Sequence, residues 1–313
     1  MSHSAATPSE ETVDAALRER LAQGDAVLRS AAPIMRHLLS GARHAMFGDE
    51  IVAGVRGAMG DIARQLLDAR TGDGEPGNHD PALTEALVAA LAEVPGLLGH
   101  VHALALEWQL TERLQRRLAL DPVLPPLLQA LLASNDPATS ALAMNLLAAQ
   151  ARFAQAQRRM QLPLGELPAD LLHGALEALR AVDDDAAQAG AEAAIRAGYD
   201  EGRSRLALAA RLVTGMGGGA IAALSLAHAG VAIFATALGM AAWQDRDTVL
   251  LATGEGQSLR LALALRAAGL KQEAIAEQLL ILHPDAPLPP DWDRVGPDRA
   301  AEILAAALPP VGA

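Results

Sequence analysis

The chain is a succession of short apolar stripes at helical spacing, each cut off by proline, glycine or a small polar cluster. After Pro81, the residues Leu83, Leu87, Val88 and Leu91 recur at helical intervals; after Pro137, Leu142, Leu146, Leu147 and later Phe153 do the same. Apolar residues three and four apart share one helix face, so each stripe predicts an amphipathic helix. Asp80-Pro81, Asp121-Pro122 and Asp136-Pro137 repeat one device. The aspartate accepts from free N–H groups of the first turn, and proline takes the first helical position. The pattern predicts helices near 9–22, 25–40, 43–70, 81–93, 97–119, 122–133, 137–160 and 168–180. It continues with 184–197, 203–213, 219–228, 231–242, 245–253, 257–268, 271–281 and 297–307.

Two breaks organise these helices. Thr71 to His79 is a polar Gly/Pro stretch and predicts a linker over 71–80. It separates an N-terminal helical hairpin, 1–70, from a helical body, 81–313. The proline-rich stretch from His283 to Pro290 predicts extended chain before a last short helix. Helix pairs recurring every 25–45 residues predict an all-α array of short antiparallel helices, HEAT-like or an irregular solenoid. Between Arg211 and Asp245 lie 33 residues with no charged side chain. The run is broken by glycines at 215, 217–219 and 230 and by His228, and much of it is alanine, which contributes little to membrane insertion. It therefore reads as two buried helices rather than one span.

Composition strengthens the all-α reading. Hydrophobic residues are 51 % of the chain but aromatics only 2 %, so the apolar content is mainly Ala, Leu and Val. Alanine and leucine lose little side-chain entropy in a helix, while strands favour the aromatic and β-branched types that are scarce here. The net charge of −12 repels a phosphate backbone, which argues against nucleic acid as the ligand. Cysteine is absent, so disulfides, thiolate nucleophiles and cysteine zinc sites are excluded. The polar stretch Met1–Glu11 lacks the order of a signal peptide, and a cytoplasmic location is expected.

The segment Ala220-Ile221-Ala222-Ala223-Leu224-Ser225-Leu226-Ala227-His228-Ala229-Gly230 precedes Val231-Ala232-Ile233-Phe234-Ala235-Thr236-Ala237-Leu238. Asp245-Arg246-Asp247-Thr248-Val249 and the stretch Leu261 to Leu270, ending Arg266-Ala267-Ala268-Gly269-Leu270, come next. This order resembles the bacterial family catalogued as domain of unknown function 2336, over residues 80–283 and most specifically over 220–270. The resemblance implies a helical protein without an assigned activity and transfers no catalytic residue. Read on its own, Gly230 ends one helix with positive φ, and His228 caps nearby carbonyls.

Candidate chemistry is sparse. Gly215-Met216-Gly217-Gly218-Gly219-Ala220 fits the spacing of a dinucleotide turn, but a helical stretch precedes it and the first acid after it is Asp245. His37-Leu38-Leu39-Ser40-Gly41 is similar to a histidine phosphotransfer helix and makes His37 a candidate phosphoacceptor, with Arg36 and Arg43 close by. His100 and His102 point to different sides of a helix and cannot share a metal. Asp183-Asp184-Asp185 lacks the spaced ligands of a calcium loop and reads as an acidic helix start. No metal, cofactor or catalytic residue is expected. Arg113, Arg116 and Arg117 crowd one predicted helix, and Arg152, Arg158 and Arg159 another, a surface suited to the carboxylates of a partner. The leading expectation is a non-enzymatic helical interaction protein that binds another protein there. The alternatives are a small apolar, lipid-like ligand held among the Ala/Gly-rich helices at 206–243, and signalling through His37.

Overall fold

The computed structural model describes residues 10–40, 48–71, 79–182, 187–254, 256–283 and 292–307, and among these every regular element is helical. The expected all-α multi-helix array is therefore the observed fold. The chain divides into two compact units: Ala32–Ala237, and Met1–Ala31 together with Leu238–Val311. This division differs from the expected one at 71–80. Of that expected linker, residues 72–78 lie outside the described residues, as do Asp183, Asp184 and Asp185.

In chain order the helices begin with α1 (Glu10–Ser40), α2 (Asp49–Thr71), α3 (Pro81–Glu93) and α4 (Leu97–Leu118). They continue with α5 (Pro126–Leu132), α6 (Pro137–Arg158), α7 (Ala169–Val182), α8 (Ala187–Gly198) and α9 (Arg205–Gly215). A 3-10 stretch, Gly217–Leu224, precedes α10 (Leu226–Ala242), followed by α11 (Arg246–Ala252), α12 (Ser258–Ala267), α13 (Gln272–Leu282) and α14 (Pro297–Ala305). Lengths run from 7 to 31 residues, so the array is irregular.

In the unit 32–237, α2 buries Ile51, Val55, Met59, Ile62 and Leu66 along one side. Helices α3, α4 and α8 pack on α2, and α3 also packs on α7. Leu87 and Leu91 of α3, Val101 of α4 and Leu172, Leu176 and Leu179 of α7 belong to the same core. Each such side chain contributes ~1.5–3 kcal/mol on burial, so tertiary contact rather than helix propensity holds these elements. Helix α6 packs on α5 and α9. In the other unit α12 is the centre: its residues Ser258–Leu265 are all buried, and α11, α13 and α14 pack on it.

Two of the three Asp-Pro devices act as expected. The Asp80 carboxylate accepts from the Ala82 N–H at 3.0 Å, and that of Asp136 from the Thr139 N–H at 3.0 Å. Asp121 differs. It accepts from the N–H groups of Val123 and Leu124 at 2.8 and 2.9 Å, but the helix starts only at Pro126. Pro125 and Pro126 push the residues before them out of helical geometry, and the start is displaced accordingly. A second difference is α1, which runs unbroken through Gly24, where a break was expected.

After the end of α9, the uncharged segment folds as two elements. Gly217–Leu224 and Leu226–Ala242 meet at a bend of 113°. Within α10, Gly230 stands at φ 71° and ψ 167°, so the helix restarts after it. A Cβ on Gly230 would lie 3.1 Å from the Pro125 ring carbons, so both the conformation and the space demand glycine. Val231 to Gly239 are all buried. No single helix among the described residues is long and apolar enough to cross a membrane.

Candidate functional site

The six candidate arginines fall on α4 and α6, which pack against each other. Arg113 is half-buried; Arg116 and Arg117 are exposed in the last turn of α4, and Arg152, Arg158 and Arg159 are exposed on and just after α6. The two helices run in opposite directions. The guanidinium carbon of Arg158 sits 5.7 Å from the Trp108 ring centroid, while Thr111 faces Leu146 and Gln150 across a shared cleft. Eight helical residues separate Trp108 from Arg116, a rise of ~12 Å. The structure thus places Arg158 and Arg159 toward one end of the pair and Arg116 and Arg117 toward the other. They are spread along the pair rather than gathered at one point. A cation over an indole face is held by the ring quadrupole, so Arg158 presents its fork in a defined direction.

His37 lies in α1, but its side chain is outside the described residues, as is Arg43. Its neighbour Arg36 is committed elsewhere: it contacts the Glu93 carboxylate at 3.1 Å and donates to the Ala92 carbonyl at 3.2 Å, closing the end of α3. His100 and His102 are both buried in α4. Burial lowers the His102 imidazole to about 4, because the interior disfavours its charged form. The Gly215–Ala220 stretch is the end of α9 running into 3-10 turns, with no strand before it.

The most developed polar arrangement was not anticipated. Arg205, 1 % exposed at the start of α9, makes a two-pronged contact with Glu107 of α4, also 1 % exposed, at 2.5 and 2.9 Å. Its guanidinium lies 3.7 Å from the Phe153 ring centroid, and Gln150 Oε1 accepts from it at 3.4 Å. The backbone N–H of Arg205 donates to Glu166 at 2.9 Å. Burial raises the Glu166 carboxyl above its usual range, opposed by the nearby charges of Arg205 and Arg152. Three elements, α4, α6 and α9, are thereby locked by one cation. The signal was present in the sequence as register. Glu107 follows Leu104 and precedes Leu110 and Leu114 on the buried side of α4, and Arg205 opens the stripe of Leu208, Ala209 and Leu212.

Beside this cluster, Thr111, Pro122, Pro125, Leu146, Gln150 and Gly230 line a cleft with a cavity of about 20 Å³. That volume suits one water and gives an acyl chain no ready-made room. Among the described residues no three His, Asp or Glu side chains are grouped to hold a metal ion. Comparison of the chain with protein-family models, with curated proteins and with solved structures finds no match.

Proposed function

We propose that the chain is a non-enzymatic helical scaffold, cytoplasmic, that binds a carboxylate-rich segment of a partner protein along the arginines of α4 and α6. The observation that supports this most is Arg158 poised over Trp108 beside exposed Arg152 and Arg159, on a protein whose net charge is −12. Arginine forks pair with carboxylates two bonds at a time, so exposed arginines spread along two neighbouring helices select for negative charge. The likeness of 220–270 to the family of domain of unknown function 2336 belongs to the same proposal and implies a helical protein without an assigned activity.

The helix pair has two ends, and the test uses both. Tagged full-length protein and two charge-reversed forms, Arg152→Glu with Arg159→Glu and Arg116→Glu with Arg117→Glu, are cross-linked in cells and purified. A stoichiometric acidic partner retained by the parent protein and lost from either variant supports the reading. Retention by both variants, or nothing above background with the parent, removes it.

A further inference from the structure

The first part of α1 is attached to the C-terminal segment of its own unit along one stripe of the helix. Asp14, Leu17, Leu21 and Asp25 lie within three turns on one side of the helix, and Leu17, Leu21 and Asp25 are 1, 2 and 0 % exposed. Eleven residues make three turns, so the two aspartates stand in line, ~16 Å apart. Each meets an arginine: Asp14 accepts from Arg299 Nε of α14 at 2.6 Å, and Asp25 pairs with Arg260 of α12, itself 1 % exposed. Between them Gln257 donates to the Gly24 carbonyl at 2.9 Å, and a Cβ on Gly24 would lie only 2.7 Å from Gln257 Oε1. The groove reads an acid, two leucines, a glycine and a second acid. This is recognition of an amphipathic helix by a groove, with the ligand supplied by the same chain.

Two observations favour an arm that can leave its groove. First, Pro33 lies inside α1, two residues beyond Ala31, the last residue of this unit's N-terminal part. Proline has no N–H for the Arg29 carbonyl and its ring crowds that turn, so the helix is weakened there. Second, the buried pair is incompletely satisfied: Asp25 Oδ2 and Arg260 Nε are buried without hydrogen-bond partners. A contact with unmet polar atoms holds less tightly than its burial suggests.

We propose that residues 10–31 form an exchangeable arm hinged at Pro33, and that the groove of α12 and α14 accepts the arm of a second copy of this chain. The second copy presents the identical aspartates, leucines and glycine, so exchange between copies conserves every contact, and only the hinge changes. Charge matches as well: the arm brings Asp14 and Asp25 to Arg299 and Arg260.

The absence of cysteine makes the test clean. Full-length D14C and R299C variants, carrying tags of different mass, are mixed, incubated and treated with a short bismaleimide cross-linker. A double variant, D14C with R299C, confirms reach by closing within one chain. The expected result is a heterodimer that grows with incubation and is lost when a synthetic peptide of residues 10–31 is added in excess. Pro33→Ala, which restores the missing helical hydrogen bond, slows its appearance by about tenfold. Failure of the double variant to close, no more heterodimer than the homodimer that D14C forms alone, or a heterodimer indifferent to the peptide each overturns the exchange; an unchanged rate in Pro33→Ala removes the hinge.

Discussion

Two buried ion pairs hold the two units, and they are built to different standards. In the unit 32–237, Glu107 and Arg205 are joined by two bonds, and the arginine is further met by Gln150 and Phe153. In the other unit, Asp25 and Arg260 have further side-chain support from Gln244 at 3.1 Å. The Nε of both arginines is buried without a hydrogen-bond partner, but Asp25 also leaves Oδ2 unmet, whereas both Glu107 oxygens accept from Arg205. Taking a charge out of water costs several kcal/mol, which an ion pair offsets only when its remaining polar atoms are satisfied. The first pair fits a permanent lock and the second a latch. The difference lies in the neighbours rather than in burial, since all four residues are almost fully enclosed.

The largest effect should come from Arg205→Ala. It leaves Glu107 as an uncompensated buried charge, for a loss of about 3–5 kcal/mol in denaturant unfolding of the unit 32–237. Glu107→Leu with Arg205→Met should recover most of that loss, because the desolvated charges disappear together. A double variant as unstable as the single one would mean that the lock acts through packing on Phe153 instead of charge.

The same unit should be the acid-sensitive one. The His102 imidazole is held down to about 4, against 6.5 in an unfolded chain, because burial disfavours its protonated form. A base whose folded pKa is depressed contributes stability above its unfolded pKa and loses it as pH falls through the folded value. Stability of 32–237 should therefore decline by about 3 kcal/mol between pH 7 and pH 4 on this account. His102→Leu should flatten that slope in urea titrations at stepped pH. An equal slope in the variant would assign acid lability to other groups.

Much of this architecture was legible in the sequence, and the reasons for the remainder are local. The stripe after Pro81 predicts a helix over 81–93 and α3 spans those residues, because cap, proline and periodicity agree. The reversal at Gly230 was readable for the same reason: a glycine inside an uncharged helical run has few other uses. Asp121-Pro122 misled because the proline pair at 125–126 decides where a helix can start. Gly24 misled differently. Its close approach to Gln257, 233 residues away, keeps α1 continuous where propensity predicts a break. The locks were half-visible. Glu107, Arg205, Asp25 and Arg260 each occupy an apolar register, but no periodicity says which charge meets which across 98 or 235 residues. The six exposed arginines drew attention instead because they cluster in sequence, where contacts are easy to imagine.

A gentler variant separates latch from lock. Asp25→Asn keeps the size of the side chain and an acceptor for Arg260 while removing the charge. Its expected cost is about 1–3 kcal/mol, the range for weakening one buried charged hydrogen bond. The loss should be local, with faster amide hydrogen exchange across residues 13–31 and unchanged exchange in α2, α3 and α7. Equal acceleration throughout would show that the arm is integral to the fold, and the contrast between the two pairs would vanish.

The smallest effect concerns Glu166, which accepts from the backbone N–H of Arg205 beside the lock. Burial raises its carboxyl above the ordinary carboxylate range, while Arg205 and Arg152 pull it back. A carboxyl with a raised folded pKa binds protons more readily in the folded chain than in the unfolded one. Its contribution is therefore most favourable below pH 4.5 and declines as pH rises through the folded value, opposite in sign to that of His102. Glu166→Gln retains an oxygen to accept the Arg205 N–H and removes the ionisation. The variant should be slightly more stable than the parent at pH 7 and no more stable at pH 4, measured by urea midpoints. Should it instead be less stable at pH 7, the attraction of Glu166 to Arg205 and Arg152 outweighs its desolvation, and the carboxylate is part of the lock.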